Sequence, residues 1–534
     1  MNCLVVERGD DAVVIDCGVM FPEDHMMGID RVIPDTSYLR ELGPRLKGFI
    51  LTHGHEDHVG ALPYILPDHD VPIFATGFTG ALLERKLEEY PAARRPIEKF
   101  EPGERWRLGD LDIEGIRVTH SIVDACGLAI RAGNDLVVHT GDFKIDNEPI
   151  DGLTTDLDRF AALGEEGVDL LLSDSTNVEV DGRCKSESRV HGYLRAIFER
   201  TEGRVFVTTF ASHIHRIQAV VDVCEELGRS IAIMGRSMES NASLATRTGH
   251  LRIPGRLLVD PRVAENMPRS QVCFLLTGSQ GEPGSALSRM AMLEMRDLEA
   301  GPGDAVIFSS RVIPGNDRAI GEVIDQLFRC GAEVYYSRVA DVHVSGHACR
   351  EELRQMLDLV RPRNFVPLHG EYRNLVHHAR LAIETGVKPE NTFCLVDGQV
   401  LEVESEAAYR VDPVAVGRVF IDGSGVGDVD DTVIRDRRHI SVDGVVMIIL
   451  AVSHQTGEIV TGPDFICRGL VSPEEEAAVF DGARQSILDR VGGMSAAAIA
   501  DVAELREEVR ASARRYFRRT LGRRPVVVPY IMEL

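Results

Sequence analysis

Apolar and polar positions alternate along this chain in two rhythms. Up to about residue 180, short apolar runs are broken by glycine and polar turns. Residues 12–17, 48–52, 136–139 and 170–173 are such runs, and each predicts a buried strand. Chemistry-bearing side chains stand directly behind several of them. His53 follows Phe-Ile-Leu-Thr, Asp142 follows Val-Val-His-Thr-Gly, and Asp174 follows Leu-Leu-Leu-Ser. Strand ends on a rigid sheet can present several loop residues to one point.

From about 184 to 340 the rhythm changes to strand, small-residue loop and helix. Strands are predicted at 205–210, 230–234, 272–276, 305–309 and 333–336, with helices at 215–227 and 317–330. That alternation predicts a mostly parallel sheet covered on both faces. From 345 to 415 the first rhythm returns. Residues 364–368 read as a strand delivering His369, and 392–404 as a hairpin around Asp397-Gly398. The expected organisation is therefore a first domain over 1–183, an insertion over 184–342, and the rest of the first domain over 343–415. The stretch 416–437 is rich in glycine and aspartate and is expected to be a linker. Residues 438–534 read as a small α+β unit with strands at 444–452 and 525–531 and helices at 473–491 and 502–516.

Composition narrows the class. With 534 residues, 44% hydrophobic and 27% charged, the chain has the make-up of a globular protein with several cores. It has no apolar run long enough for a membrane helix, and Met-Asn-Cys-Leu-Val-Val-Glu-Arg lacks the basic-then-apolar form of a secretory leader. No membrane partner and a cytoplasmic location are expected. The 10 cysteines form no Cys-x-x-Cys pair and lie mostly in apolar runs, so they read as free thiols rather than a thiolate metal site. A net charge of −25 works against a nucleic-acid partner unless a basic groove or bound cations reverse it locally.

His53-Gly54-His55-Glu56-Asp57-His58 packs four ligand-type side chains behind a buried strand. Imidazole and carboxylate at this density suit borderline cations such as zinc. His53 and His55, two apart on extended chain, point the same way. Asp57 and His58, adjacent at a turn, are expected to diverge and serve a second ion. His120, Asp142 and His369 each follow an apolar strand, but alone each reads as an ordinary loop residue.

The arrangement His-x-His-x-Asp-His with a later His, Gly-Asp and a final His resembles the metallo-β-lactamase superfamily. Leu-Ser-Asp-Ser-Thr-Asn (172–177), Thr-Phe-Ala-Ser-His-Ile-His-Arg (209–216), Met-Gly-Arg-Ser-Met (234–238), Thr-Gly-Ser-Gln-Gly-Glu-Pro (277–283) and His-Val-Ser-Gly-His-Ala (343–348) are similar to the β-CASP nucleases of the ribonuclease J family. The resemblance runs along essentially the whole chain. It implies an αββα metallo-β-lactamase sandwich with an inserted β-CASP α/β domain and a small C-terminal α+β domain.

The resemblance also implies roles. His53, His55 and His120 would hold one metal, and Asp57, His58 and His369 the other, with Asp142 between them. The cofactor would be two zinc ions per subunit, with manganese or magnesium as alternatives. Asp57, Asp174 and His347 would be catalytic, Asp174 orienting His347 as proton donor to the leaving oxygen. By residue type alone, Asp174 reads instead as a turn cap. His343, Val344, Ser345, Gly346 and His347 would hold a substrate phosphate, aided by the N-terminus of the helix that follows, which by its residues alone reads instead as a simple helix cap. Ser212, His213 and Ile214 would be the matching contact from the insertion, and Arg216, Arg236, Arg311 and Arg373 would line the path or be structural.

The implied activity is 5′-to-3′ exonucleolytic cleavage of RNA, favouring 5′-monophosphorylated single strands, with some internal cutting, in messenger decay and ribosomal RNA maturation by a homodimer or homotetramer. Alternatives are a hydrolase of DNA or a thioester on the same scaffold and a non-catalytic RNA-binding scaffold. The chain departs from the family pattern at Ser121-Ile122-Val123-Asp124 and Ala211-Ser212-His213, and the family has a short glycine-rich strand ahead of the position of Met1. The arginines at 514, 515, 518, 519, 523 and 524 read first as a solvated helix end, and second as an RNA-facing patch or subunit contact.

Overall fold

The computed structural model describes every residue except 24, 297, 314, 405–406, 424 and 454–457. Two sheets face one another in the first domain. One orders its strands Leu4–Arg8, Asp11–Ile15, Leu46–Ile50, Ile73–Ala75 and Ile97–Lys99. The other runs Asn364–Leu368, Leu170–Asp174, Asp135–His139, Cys126–Ala132, Leu111–Arg117 and Arg105–Leu108. Inward residues of both, among them Val13, Ile15 and Ile50 against Leu128, Ile130 and Leu172, form one core between them. The outer face of the second sheet is covered by the helices Leu157–Glu166, Arg350–Val360 and Tyr372–Glu384, whose apolar stripes include Phe160, Leu163, Met356, Leu357 and Leu381. This is the αββα sandwich expected.

The last strand of the second sheet comes from beyond the insertion. Asn364–Leu368 pairs in parallel with Leu170–Asp174, with Asp174 opposite Leu368. That register sets His369 beside the end of the Asp174 strand. Between these two strands in sequence lies a five-stranded, all-parallel sheet ordered Ser230–Met234, Val272–Leu276, Val205–Thr208, Ala305–Phe308 and Glu333–Tyr335. Its three central strands are buried and apolar but for Thr208 because both faces are covered, by separate clusters around Ile217 and Val220 and around Phe274 and Leu287.

Two stretches differ from expectation. The glycine- and aspartate-rich segment is not a linker: Arg418–Asp422 is the central strand of a small sheet flanked by Gly425–Val426 and Arg31–Pro34, and the helix Asp431–Asp443 follows. Residues 20–33 accordingly belong to the compact unit of residues 418–534, not to the first domain. The hairpin expected over 392–404 lies later, pairing Val400–Glu404 with Ala407–Val411. The C-terminal sheet sets Val445–Val452 between Ile459–Arg468 and Val526–Glu533, with one face packed on the helices Glu476–Val491 and Val502–Leu521. Among the described residues no helix is long and apolar enough to cross a membrane.

Candidate metal centre and active site

The structure brings all seven predicted donors together. His53 is fully buried behind the strand Leu46–Ile50, and His55 precedes a one-turn helix, Glu56–Val59, that carries Asp57 and His58. Gly18 is what lets this turn sit close to the chain that follows the strand Asp11–Ile15, since a Cβ there would fall 1.6 Å from the Asp57 carbonyl oxygen. His53 Nε2 lies 3.0 Å from His55 Nδ1, which lies 3.2 Å from His120 Nε2. On the other side, Asp57 Oδ2 stands 3.6 Å from His58 Nε2 and 3.2 Å from His369 Nε2. Asp57 and His58 therefore converge rather than diverge. Asp142 Oδ2 stands between the groups, 3.8 Å from His53, 4.0 Å from His120, 3.3 Å from His58 and 3.5 Å from His369.

Outer hydrogen bonds set which imidazole nitrogen faces inward. Asp16 Oδ2 accepts from His58 Nδ1 at 2.8 Å and from the Thr52 hydroxyl at 2.7 Å. With its proton so committed, the Thr52 oxygen accepts from His53 Nδ1 at 3.1 Å. His120 Nδ1 donates to the Gly346 carbonyl at 2.8 Å. His369 Nδ1 donates to the Thr176 hydroxyl at 2.7 Å, and that hydroxyl donates to Asp174 Oδ1. These bonds leave Nε2 of each of the four rings turned to the centre, the atom that must give up any proton when a cation binds.

The electrostatics divide the site. Burial, reinforced by the neighbouring imidazoles, holds His53 and His120 well below the ordinary histidine range, and burial lowers His55 to about 4. Burial also works against charge on His58, but Asp142, Asp57 and Asp16 outweigh it and push His58 up to about 10. Asp142 and Asp174 are held below the usual carboxylate range by the histidines beside them, although burial opposes this. The centre is thus a neutral three-imidazole group beside a carboxylate-rich group that attracts positive charge. Tetrahedral zinc with nitrogens at roughly 2.0–2.1 Å sets ligands about 3.3 Å apart. The 3.0 and 3.2 Å separations within the first group fit that demand.

His347 stands at the mouth of the site, its side chain 18% exposed. Its Nδ1 meets Asp174 Oδ2 at 2.8 Å, and Nδ1 lies 4.0 Å from Asp142 Oδ2. Asp174 is also a turn cap, accepting from the Thr176 amide at 2.9 Å, as its residue type alone suggests. Gly346 is required where it stands: a Cβ would come within 2.7 Å of Ser121 and 2.9 Å of His120 Cε1. Ser345 Oγ accepts from Asn177 at 2.7 Å, which fixes the loop.

Other expected contacts lie elsewhere. The N-terminus of the helix Arg350–Val360 has no room for a phosphate, because Glu352 caps Cys349 and Cys184 while the amides of Arg350 and Glu351 bond to Val180 and Gly182. The side chains of Ile214 and Val344 belong to the core of the insertion. His213 is buried against Glu187 at 3.3 Å, burial holding it down to about 4, and His343 is likewise held low by burial beside Arg216 and His213. Only Ser212 of the 212–214 trio is partly exposed. Arg216 is completely buried, bonded to Glu187 at 2.8 Å and to the Ser309 and Val342 carbonyls, so it is structural. Arg373 pairs with Glu371 and Glu179, while Arg236 and Arg311 are exposed. Sequence reasoning missed Asp16, Thr52 and Thr176. Asp16 carried the same signal as the donors, a carboxylate directly behind an apolar run.

Family models match in chain order the metallo-beta-lactamase superfamily over residues 2–166, the ribonuclease J beta-CASP domain over 202–327, the Zn-dependent metallo-hydrolase RNA specificity domain over 332–394, and the ribonuclease J C-terminal domain over 432–534. The chain is 38% identical to ribonuclease J of Mycobacterium tuberculosis over 534 residues, covering 100% of this chain and 95% of that one. The chain belongs to the ribonuclease J family. It is also 35% identical to ribonuclease J 1 of Streptococcus pyogenes, covering 99% of this chain and 95% of the relative. A solved protein of unknown function from Enterococcus faecalis shares the fold, with a TM-score of 0.52 at 16% identity over 77% of this chain and 96% of its own. This ribonuclease J family member is a metal-dependent ribonuclease with RNA as its substrate.

Proposed function

We propose that this enzyme degrades RNA from the 5′ end, favouring a 5′-monophosphate, with some internal cleavage, using two zinc ions. The observation that carries the reading is the position of Asp142 Oδ2, within 4.0 Å of imidazoles from both donor groups and of His347. His53, His55 and His120 hold one ion, and Asp57, His58 and His369 the other, with Asp142 shared. Ions bound there supply Lewis-acid stabilisation of the phosphate and make water nucleophilic at neutral pH.

The chain's own groups do the rest. Asp174 holds His347 by Nδ1, which leaves Nε2 to give a proton to the leaving 3′-oxygen. Backbone and side-chain groups of Ser345, Gly346 and His347, with Ser212 of the insertion, hold the phosphate. Gly346 allows a close approach there, and Asn177 keeps Ser345 in place.

The same reading includes action in the cytoplasm, in messenger decay and ribosomal RNA maturation, as a homodimer or homotetramer. Support for assembly comes from the outer face of the C-terminal sheet, where exposed Ile466, Met447 and Val528 stand in one cross-strand row beside Tyr530.

The test is digestion of RNA labelled at both ends and carrying a 5′-monophosphate, triphosphate or hydroxyl, with zinc, manganese or magnesium. Mononucleotide release from the monophosphorylated RNA is expected, and the triphosphorylated RNA should be largely spared. Equal digestion of all three would remove end recognition. Action on a thioester but not on RNA would move the site to a different substrate.

A further inference from the structure

The proposed function makes no use of the arginine-rich end of the chain. Between Val509 and Met532 the sequence carries arginine at 510, 514, 515, 518, 519, 523 and 524 and no acidic residue, in a protein of net charge −25. Most of this run lies on the helix Val502–Leu521, which buries Leu505, Val509, Ser512, Ala513 and Phe517. Arg514, Arg515, Arg518 and Arg519 are exposed on the opposite face, at the i, i+1, i+4 and i+5 spacing that gathers side chains together.

Three of the seven arginines have structural partners. Arg510 pairs with Glu507, Arg515 with Glu508 at 3.1 Å, and Arg523 donates to the Leu470 carbonyl. Arg514, Arg518, Arg519 and Arg524 are exposed and have no side-chain hydrogen bond or ion pair among the described residues. The helix dipole accounts for cations in the last turn only. Arg514 lies a turn earlier and Arg524 lies beyond the end, while like charges one turn apart repel each other.

We propose that Arg514, Arg518, Arg519 and Arg524 form a second RNA-binding surface, which holds the sugar-phosphate backbone of long single strands. Guanidinium groups match phosphate geometry. A protein partner or second copy is the weaker fit, because a subunit interface has an apolar core. This face offers arginine, Thr520 and the half-buried Ala511, with its large apolar side chains turned inward.

The test substitutes all four arginines with glutamine in the full-length holoenzyme. KM is measured for an RNA of about 30 nucleotides and for one of about 4, across potassium chloride concentrations from about 50 to 200 mM. Each single-strand phosphate contact contributes about 0.7 to the slope of log affinity against log salt, so four should contribute about 2.8. The wild-type advantage in KM for the long RNA should therefore shrink roughly 50-fold over that range. The short RNA should be cut equally well by both proteins, and a quadruple lysine variant should retain the wild-type slope. Parallel salt slopes for wild type and the glutamine variant would overturn the proposal. Parallel slopes with altered sedimentation would instead assign the face to a subunit contact.

Discussion

Asp16→Asn isolates the outer hydrogen bonds from the donors themselves. Asp16 accepts from the Thr52 amide at 2.8 Å, from the Thr52 hydroxyl and from His58 Nδ1. The residue has φ +59°, a region that asparagine tolerates, so the backbone should not object. Asparagine keeps an oxygen for the Thr52 amide, but places an NH2 donor against His58 Nδ1. That nitrogen must then accept, which moves the ring proton to Nε2, the atom facing Asp142 at 3.3 Å. Loss of such an outer partner costs about 10–100-fold in metal affinity, or about 1.4–2.8 kcal/mol. The zinc affinity of the weaker site, read by competition with a fluorescent chelator, should fall by that factor, and kcat should recover at high zinc because every reacting group is intact. Zinc affinity within twofold of wild type, in a variant with an unchanged Tm, would refute the reasoning.

His347→Ala should lower kcat by about 10²–10⁴-fold with zinc content unchanged, and Asp174→Asn should do the same when assayed at saturating zinc. Because the two residues act as a pair, the double variant should be little worse than either, which single-turnover cleavage would check. Gly346→Ala should displace His120, and zinc analysis should show the first ion lost or weakened together with activity. Glu187→Gln strands the buried Arg216 and should destabilise the fold by about 3–5 kcal/mol in urea unfolding near pH 7. Burial opposes ionisation of Glu187, but Arg216 and His213 hold its carboxyl well below the ordinary glutamate range. Its contribution is therefore complete above that ordinary value and is lost as pH falls through the lower folded value. The gap between wild type and variant should narrow in acid.

The donors were legible because a dense ligand motif sits behind a buried strand, and because family motifs linked it to His120, Asp142 and His369. The split first domain and the covered parallel sheet of the insertion followed from the change between the two hydrophobic rhythms, and the αββα layering came with the resemblance. What escaped is non-local. The glycines and aspartates around residue 425 signal turns, but the strand Arg418–Asp422 is completed by Arg31–Pro34, far away in sequence. Arg216 looks like any other arginine in a row of letters, and only the fold shows it closed in by Glu187, Ser309 and Val342. The resemblance makes the helix after His347 an anion site, but Glu352 turns back on the Cys349 amide, the simple cap that the residues alone suggest.

The split of the first domain has a consequence during synthesis. Six of the proposed donors emerge from the ribosome by residue 142, but the seventh, His369, follows only after the whole insertion has been made. A nascent chain still tethered to its own message therefore lacks one ion's third ligand, and His347 as well. On the proposed ligand set, the enzyme cannot cut the template that encodes it until that template has been read past the codon for His369.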